Sequence, residues 1–205
     1  MRTPLRSVLL LGVIVIVLCA ATGAQSVAAR PTQGNTTSAP SEYPLQVAIT
    51  GGGTLANAIT SSSFWMTGGS VDLAGRFYGN WSVVADVAGM HKAQSNSNSV
   101  GLDMVTATFG PRYSWQPKGS KYALFGQALA GEAFSFHTVI PTPHGAADGD
   151  TSLALLMGGG LDVNLNRRLA LRAVEANWLH TQLPNSTTNT QNSLRLSAGV
   201  AFRFR

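Results

Sequence analysis

Nine ionisable side chains stand within otherwise apolar stretches of the sequence. They are Asp72, Arg76, Asp86, Arg112, Asp162, Arg172, Glu175, Arg195 and Arg203. Most of them alternate with apolar neighbours, an arrangement that directs charged groups to one face of a β-strand. Carboxylates and guanidiniums enclosed away from water must pair, because an unpaired buried ion costs several kcal/mol. The chemistry that these residues predict is therefore ion pairing, and we expect no catalytic residues among them.

Two histidines lie close in the sequence to two carboxylates, a combination that can bind zinc or another divalent ion. His137 and His144 flank the segment 141–143, and Asp148 and Asp150 follow it. Their spacing matches no standard metal site, and the surrounding sequence is rich in glycine, proline and alanine. We therefore interpret this segment as a solvated loop and expect neither a metal nor a cofactor.

The elements that position the charges are clearest at the C-terminus. From Leu194 to Phe204 the even-numbered residues are apolar, whereas the odd-numbered residues are polar or small. Only a β-strand has a period of two residues, so this segment is predicted as a strand with one apolar face. Seven earlier segments are also predicted as strands, the one at 121–132 with the weakest alternation: 43–50, 67–77, 81–90, 101–115, 121–132, 151–163 and 168–180.

The segment 168–180 changes phase part-way along its length. Leu171 belongs to its apolar face, but continued alternation would then place Glu175 on that same face. One additional residue at 173–174 restores the pattern. The sequence therefore predicts a β-bulge at this point.

Short and long connections alternate along the chain. Short turns are expected at 78–80, 116–120 and 164–167, and longer loops at about 51–66, 91–100, 133–150 and 181–191. An up-and-down barrel gathers all the short turns at one end and the long loops at the other, and a membrane barrel carries aromatic girdles. The aromatic residues near the short turns are Tyr78, Trp81, Tyr113, Trp115 and Phe204, and those toward the long loops are Trp65 and Trp178. The predicted fold class is an all-β, eight-stranded, antiparallel, up-and-down transmembrane β-barrel over residues 43–205.

The composition favours a barrel in a membrane. Charged residues make up 11% of the chain, against about 25% in soluble globular domains. Beyond the N-terminal region no stretch of 18 or more apolar residues occurs, which argues against spanning helices, whereas a closed barrel satisfies its backbone in lipid. The formal net charge of +5 is too small to indicate nucleic acid, and none is expected as a partner.

The N-terminus has the features of a secretory signal peptide. Arg2 and Arg6 precede an apolar run over residues 8–21, which is too short to cross a bilayer as a helix, and small residues follow. We expect cleavage after Ala24, with cleavage after Ala29 as the alternative. Residues 1–24 are then the signal peptide, and 25–42, rich in Pro, Ser, Thr and Gly, form a flexible leader.

Cys19 is the only cysteine of the chain. It would leave with the signal peptide, so we expect no disulfide and no thiol chemistry in the mature protein. Leu18 precedes it where a lipoprotein signal has a small residue, which argues against a lipid anchor.

Three short signatures carry a family resemblance. They are Gly-Pro-Arg-Tyr at 110–113, the glycine-containing strand at 157–163 and the terminal strand at 194–204. Together they resemble the bacterial outer-membrane β-barrel family of the OmpA transmembrane-domain or opacity type. The resemblance covers 43–205, and it implies a location in the bacterial outer membrane, contact with its lipid and insertion by the barrel-assembly machinery. One departure is that Arg205 follows Phe204, whereas the family typically ends on the aromatic residue.

His180 is the residue on which an enzymatic interpretation depends. Outer-membrane lipid A deacylases are eight-stranded barrels of similar size, and that resemblance implies a histidine, a serine two residues later and a nearby carboxylate. In this chain Gln182 stands two residues after His180, and no acidic residue follows Glu175. We therefore predict that the protein is not an enzyme and that His180 is a polar residue at the barrel rim.

The function expected is that of an outer-membrane structural or surface-interaction protein. An eight-stranded barrel is just wide enough for its side chains to fill the lumen, so the inward charges are expected to close it. Four long loops then face outward and can contact an extracellular ligand. The alternative is a small, low-conductance, porin-like channel lined by the same charges. A soluble periplasmic carrier barrel would need a charged exterior, which this composition does not supply.

Overall fold

A computed structural model describes residues 44–59, 62–92, 102–142, 145–182 and 190–204. These residues form eight strands: β1 (Leu45–Ile59), β2 (Ser62–Tyr78), β3 (Trp81–Lys92), β4 (Leu102–Trp115), β5 (Tyr122–Thr142), β6 (Gly145–Asn164), β7 (Leu169–Thr181) and β8 (Gln191–Phe204). The expected signal peptide and leader, 1–24 and 25–42, lie outside the described residues. In the part of the chain that the structure describes, no helix has the length and hydropathy needed to cross a membrane.

The eight strands close into one barrel. Each strand pairs in antiparallel fashion with its neighbours in sequence, and β8 closes the sheet by pairing with β1 from Leu45↔Phe204 to Asn57↔Asn192. Closure pairs the ladder groups of the first and last strands, which would otherwise be exposed sheet edges. The eight-stranded antiparallel fold predicted from the sequence is confirmed.

Side chains alternate between the lumen and the outer surface, as the period of two requires. In β3, for example, Val84 and Asp86 are buried in the lumen, whereas Val83 and Val87 are exposed on the outside. The outer surface is largely apolar along every strand. Its exposed side chains include Ile49, Val71, Val83, Val87, Phe109, Leu124, Leu153, Met157, Leu171, Leu194 and Phe202.

Aromatic side chains surround the short-turn end of the barrel on its outer surface. The predicted residues Tyr78, Trp81, Tyr113, Trp115 and Phe204 are all exposed there. Trp81 and Tyr113 face each other across β3 and β4, with their rings 5.1 Å apart and edge to face. Trp65 and Trp178 are exposed toward the opposite end. These positions agree with the girdles expected from the sequence.

The long loop expected at 51–66 is wrong, because most of this segment is strand. β1 continues to Ile59 and β2 begins at Ser62, and these two residues pair with each other. The glycines at 51–53 indicate a turn in the sequence alone. In the barrel, however, Gly51 is held between Gly69 of β2 and Ala198 of β8. Hydrogen bonding to a strand on each side overrides the weak strand propensity of glycine.

The long loop expected at 133–150 is wrong for a related reason. β5 and β6 remain paired as far as Thr142↔Gly145. β4 pairs with β5 only to Phe136, and β7 pairs with β6 only from Ala154. The remainder of the two strands is therefore a two-stranded ribbon that extends beyond the closed barrel. The connections expected at 91–100 and 181–191 fall mostly at 93–101 and 183–189, outside the described residues.

The predicted β-bulge in β7 is confirmed. The β6 register changes from Leu161↔Val174 to Asp162↔Arg172, which leaves one extra residue in β7. Consecutive exposed residues occur at 173–174, and the buried positions resume at Glu175. The bulge therefore turns Glu175 into the lumen instead of toward the outer surface.

Candidate functional site: an ionic network in the barrel lumen

Arg172 is the centre of the polar lumen and contacts three carboxylates. Its guanidinium pairs with Asp72, with Asp162 at 3.0 Å and with Glu175 at 3.0 Å. Arg172 is 0% exposed and the three acids are at most 4% exposed. At such burial the desolvation of each ion is large, so stability depends on all partners remaining in place.

Arg112 connects this centre to neutral amides. Its Nη2 donates to Asp72 Oδ2 at 3.0 Å, and its Nε and Nη2 donate to Gln127 Oε1 at 2.9 and 2.6 Å. Gln127 Nε2 in turn donates to Glu175 and to Asn177, each at 3.1 Å. These amides therefore connect charged groups on opposite sides of the lumen by hydrogen bonds without adding charge.

Phe125 packs against both of these arginines. Its ring centroid lies 4.5 Å from the guanidinium carbon of Arg112 and 4.5 Å from that of Arg172, a cation–π distance. Gly160 lies opposite Phe125 in the β5–β6 ladder. A β-carbon at Gly160 would lie 2.8 Å from Cζ of Phe125. The glycine thus provides the space in which the ring packs.

A second ion pair extends the network to the remaining strands. Arg195 of β8 forms a bidentate pair with Asp86 of β3 at 3.0 and 3.2 Å, and its Nη2 lies 3.9 Å from Glu175. Gln46 of β1 donates to Asp162 at 3.1 Å. We call the connected set the lumen network: Gln46, Asp72, Asp86, Arg112, Gln127, Asp162, Arg172, Glu175, Asn177 and Arg195. All eight strands contribute to it, with three guanidiniums facing four carboxylates.

The structure separates the nine predicted charges into two groups. Seven of them belong to the lumen network, whereas Arg76 and Arg203 lie closer to the short-turn end on β2 and β8. The pattern of charges alone does not identify Gln46, Gln127 and Asn177, which connect the charges. Gln46 alternates with apolar Leu45 and Val47, so the period of two residues already places it on the inner face of the strand.

An apolar layer closes the lumen on the other side of the network. On each contributing strand it lies nearer to the long-connection end than the network residue of that strand, as Met66 does relative to Asp72. Its largest members are Met66, Met90, Met104, Leu129, Leu156 and Leu179, each at most 4% exposed. A void of about 10 Å³ lies beside Met90 and Arg195, which is room for about one water molecule at most.

A larger cavity, the mouth cavity, lies at the short-turn end. Its volume is about 40 Å³, which is room for roughly three waters. Its lining includes Gln46, Arg76, Asn80, Ser114, Gln116 and Arg203. Arg112 and Asp162 form its floor, where it meets the lumen network.

The two histidines whose side chains the structure describes, His91 and His180, lie near the long-connection end of the barrel. His180 Nδ1 lies 2.8 Å from Asn192 Oδ1, and its ring lies 5.5 Å from that of Trp178, on the outer face near the long-connection end. His91 Nδ1 lies 2.5 Å from Asp103 Oδ1 at the same end. No cluster of metal-ligating side chains occurs in the described ranges. The candidate metal ligands at 137, 144, 148 and 150 are not among the residues whose side chains the structure describes.

Comparison with known proteins finds similarity in structure. No protein-family model and no curated protein matches the sequence. The crystal structure of Neisserial surface protein A matches with a TM-score of 0.59 at 15% identity, covering 78% of this chain and 97% of that one. The crystal structure of Ail, the attachment invasion locus protein of Yersinia pestis, in complex with the heparin analogue sucrose octasulfate, matches with a TM-score of 0.50 at 16% identity, covering 78% and 99%.

These neighbours are eight-stranded outer-membrane β-barrels. The resemblance to the OmpA and opacity type is therefore confirmed at the level of the fold. At identities of 15 and 16% the likeness concerns the fold alone.

Proposed function

We propose that this chain is a bacterial outer-membrane surface protein with a closed lumen. Its barrel serves as a rigid anchor, and its long-connection end contacts a partner outside the cell. The observation that carries the proposal is an apolar exterior around a lumen filled by the lumen network and the apolar layer. Outer-membrane lipid covers this exterior in the proposal, and the resemblance to outer-membrane barrels implies the barrel-assembly machinery as the partner during insertion.

The exterior supports a membrane location over a soluble carrier barrel. Large apolar side chains are exposed on every strand, with Phe109 at 67% and Met157 at 52%. Soluble monomers rarely expose contiguous apolar patches beyond a few hundred Å². Aromatic residues border this band at the short-turn end, and the polar pairs His91–Asp103 and His180–Asn192 border it at the other. This division matches the apolar band of a transmembrane barrel between two interfaces.

A role at the cell surface rests on what extends beyond the membrane band. The β5–β6 ribbon continues past the barrel wall, and the β1–β2 hairpin does so to a lesser extent. The neighbours named above are a surface protein and an attachment and invasion protein by their own descriptions. An adhesive or ligand-binding role for this end, and not catalysis, is the function that these features favour.

The membrane location predicts a heat-dependent shift in gel mobility. Unboiled protein from an outer-membrane fraction should migrate as a compact band, because the closed barrel resists detergent, and boiling should convert it to a slower band. A chain ending before β8 serves as the control, since it cannot close the barrel and should show no shift. Recovery of the full chain in the soluble periplasm would overturn the proposal and favour the carrier barrel.

The closed lumen predicts electrical silence in a planar lipid bilayer. Protein that has passed the heat-shift test should give no stepwise currents, because the apolar layer and the lumen network leave no continuous water path. A general diffusion porin added to the same bilayer provides the positive control. Reproducible unitary steps from the pure protein would refute the closed lumen and establish the porin-like alternative.

A further inference from the structure

Arginines outnumber carboxylates among the described residues that line the mouth cavity. Asp162 is the carboxylate among its described lining residues, and it is already bonded to Arg172 and Gln46. Arg112, on the same floor, is held by Asp72 and Gln127. Both ionic groups of the floor are therefore already engaged with residues of the lumen network.

Arg76 and Arg203 add positive charge to the walls of the cavity from opposite sides of β1. Gln46 pairs with Arg203 on one side and with Ala74 on the other, and Arg76 is the next inward residue after Ala74. Both side chains line the mouth cavity. Each carries five N–H donors, so it can bind an anion while keeping the contacts it already makes.

The turns around the cavity increase the positive potential. Lys118, Lys121, Arg167 and Arg168 are exposed on them, and the segments 79–80, 116–121 and 165–168 contain no acidic residue. Cations of one sign around a concave opening raise the local concentration of anions. Both the lining and the rim thus favour the same kind of ligand.

We propose that the mouth cavity is a binding site for a phosphate-class oxyanion, held between Arg76 and Arg203. Planar guanidiniums match the oxygen geometry of phosphate and can donate two hydrogen bonds each. The amide and hydroxyl side chains of the lining provide a polar surface around the anion. This site is separate from the surface role proposed above, because it lies at the opposite end of the barrel.

Two sources can supply this chemistry, namely free inorganic phosphate and the phosphate of an anionic phospholipid headgroup at the same rim. Both arginines point into the lumen and not toward lipid, which favours the free ion. The experiment titrates sodium phosphate into the full-length barrel in zwitterionic nanodiscs at constant ionic strength, following the arginine Nε–H resonances by NMR. A parallel series in nanodiscs that contain phosphatidylglycerol distinguishes the sources.

Wild-type protein is expected to bind phosphate saturably. Arg76→Gln and Arg203→Gln should each weaken binding by about tenfold or more, since charge-assisted hydrogen bonds are lost. Arg168→Gln removes the same charge from the rim but outside the cavity lining, and it should change binding less than about twofold. If phosphatidylglycerol competes with phosphate, the occupant is the lipid headgroup. If it does not compete, the occupant is the free ion.

Two results would overturn the site. One is the absence of saturable binding to the wild-type barrel. The other is an equal loss of phosphate affinity in Arg168→Gln, because it would show that the positive charge of the rim attracts phosphate without a specific site. Each variant is first tested for the heat shift, so that a misfolded barrel is not scored as a loss of binding. If Arg76→Gln misfolds, the phosphate affinity of Arg203→Gln alone tests the site.

Discussion

Replacing Arg172 with methionine is expected to lower the free energy of unfolding by about 3–5 kcal/mol. The reason is that Asp72, Asp162 and Glu175 lose their common partner at a position that is 0% exposed. Arg112 cannot take its place, because its guanidinium is already held by Asp72 and Gln127. Asp72 then keeps Arg112 as its cation and Glu175 keeps the more distant Arg195, at 3.9 Å, whereas Asp162 keeps the neutral amide of Gln46.

This loss is measured by urea unfolding of the refolded barrel in lipid vesicles, followed by tryptophan fluorescence. Arg168→Met makes the same chemical change at an exposed turn residue and should alter stability by no more than about 0.5 kcal/mol. The difference between the two variants isolates the burial of Arg172 from the general effect of removing an arginine.

A second substitution tests the electrostatic explanation. Adding Asp162→Asn to Arg172→Met removes the carboxylate that keeps only a neutral amide as its partner, so the double variant should be more stable than the single one, with a coupling of about 0.5–3 kcal/mol. If Arg172→Met were as stable as the wild type, the electrostatic explanation would be contradicted, because water would have to reach the three carboxylates. The closed lumen proposed above would then also be in doubt.

Most of the fold can be predicted from the sequence, because the two-residue alternation of apolar and polar side chains is interrupted at few positions. Alternation predicts which face Asp72 and Arg112 occupy, and its failure near Glu175 locates the bulge. It does not predict where β1 and β2 end, since the glycines at 51–53 indicate a turn unless the strands on either side are known. The extent of a strand is thus decided by its partners more than by its own residues.

The pairing within the lumen is much less accessible to sequence reasoning. Asp86 and Arg195 are 109 residues apart, and Gln46 and Asp162 are 116 apart. Alternation places these residues on the inner face but does not give the stagger of the strands, which decides the partner of each charge. In β5 even the face is ambiguous, because apolar or small residues occupy both sides, and this conceals Gln127.

Replacing Gly160 with valine is expected to destabilise the barrel by about 2–4 kcal/mol, through overpacking and the loss of cation–π contacts. The new β-carbon would lie 2.8 Å from Cζ of Phe125 and 2.5 Å from the carbonyl oxygen of Val174. The ring can move only by leaving Arg112 and Arg172. The carbonyl belongs to the bulge that turns Glu175 into the lumen, so a shift of this carbonyl would displace Glu175 and disturb the lumen network.

Gly75→Val is the matched control, because a β-carbon at Gly75 has nothing within 4 Å. It should change the urea midpoint little, whereas Gly160→Val should lower it clearly. Adding Phe125→Leu to Gly160→Val should restore part of the loss by vacating the ring's space, but not all of it, since the Val174 carbonyl remains. Equal midpoints for the two glycine variants would contradict tight packing around Phe125. The support for the arginines would then have to come from the ion pairs alone, and Arg172→Met would remain the decisive substitution.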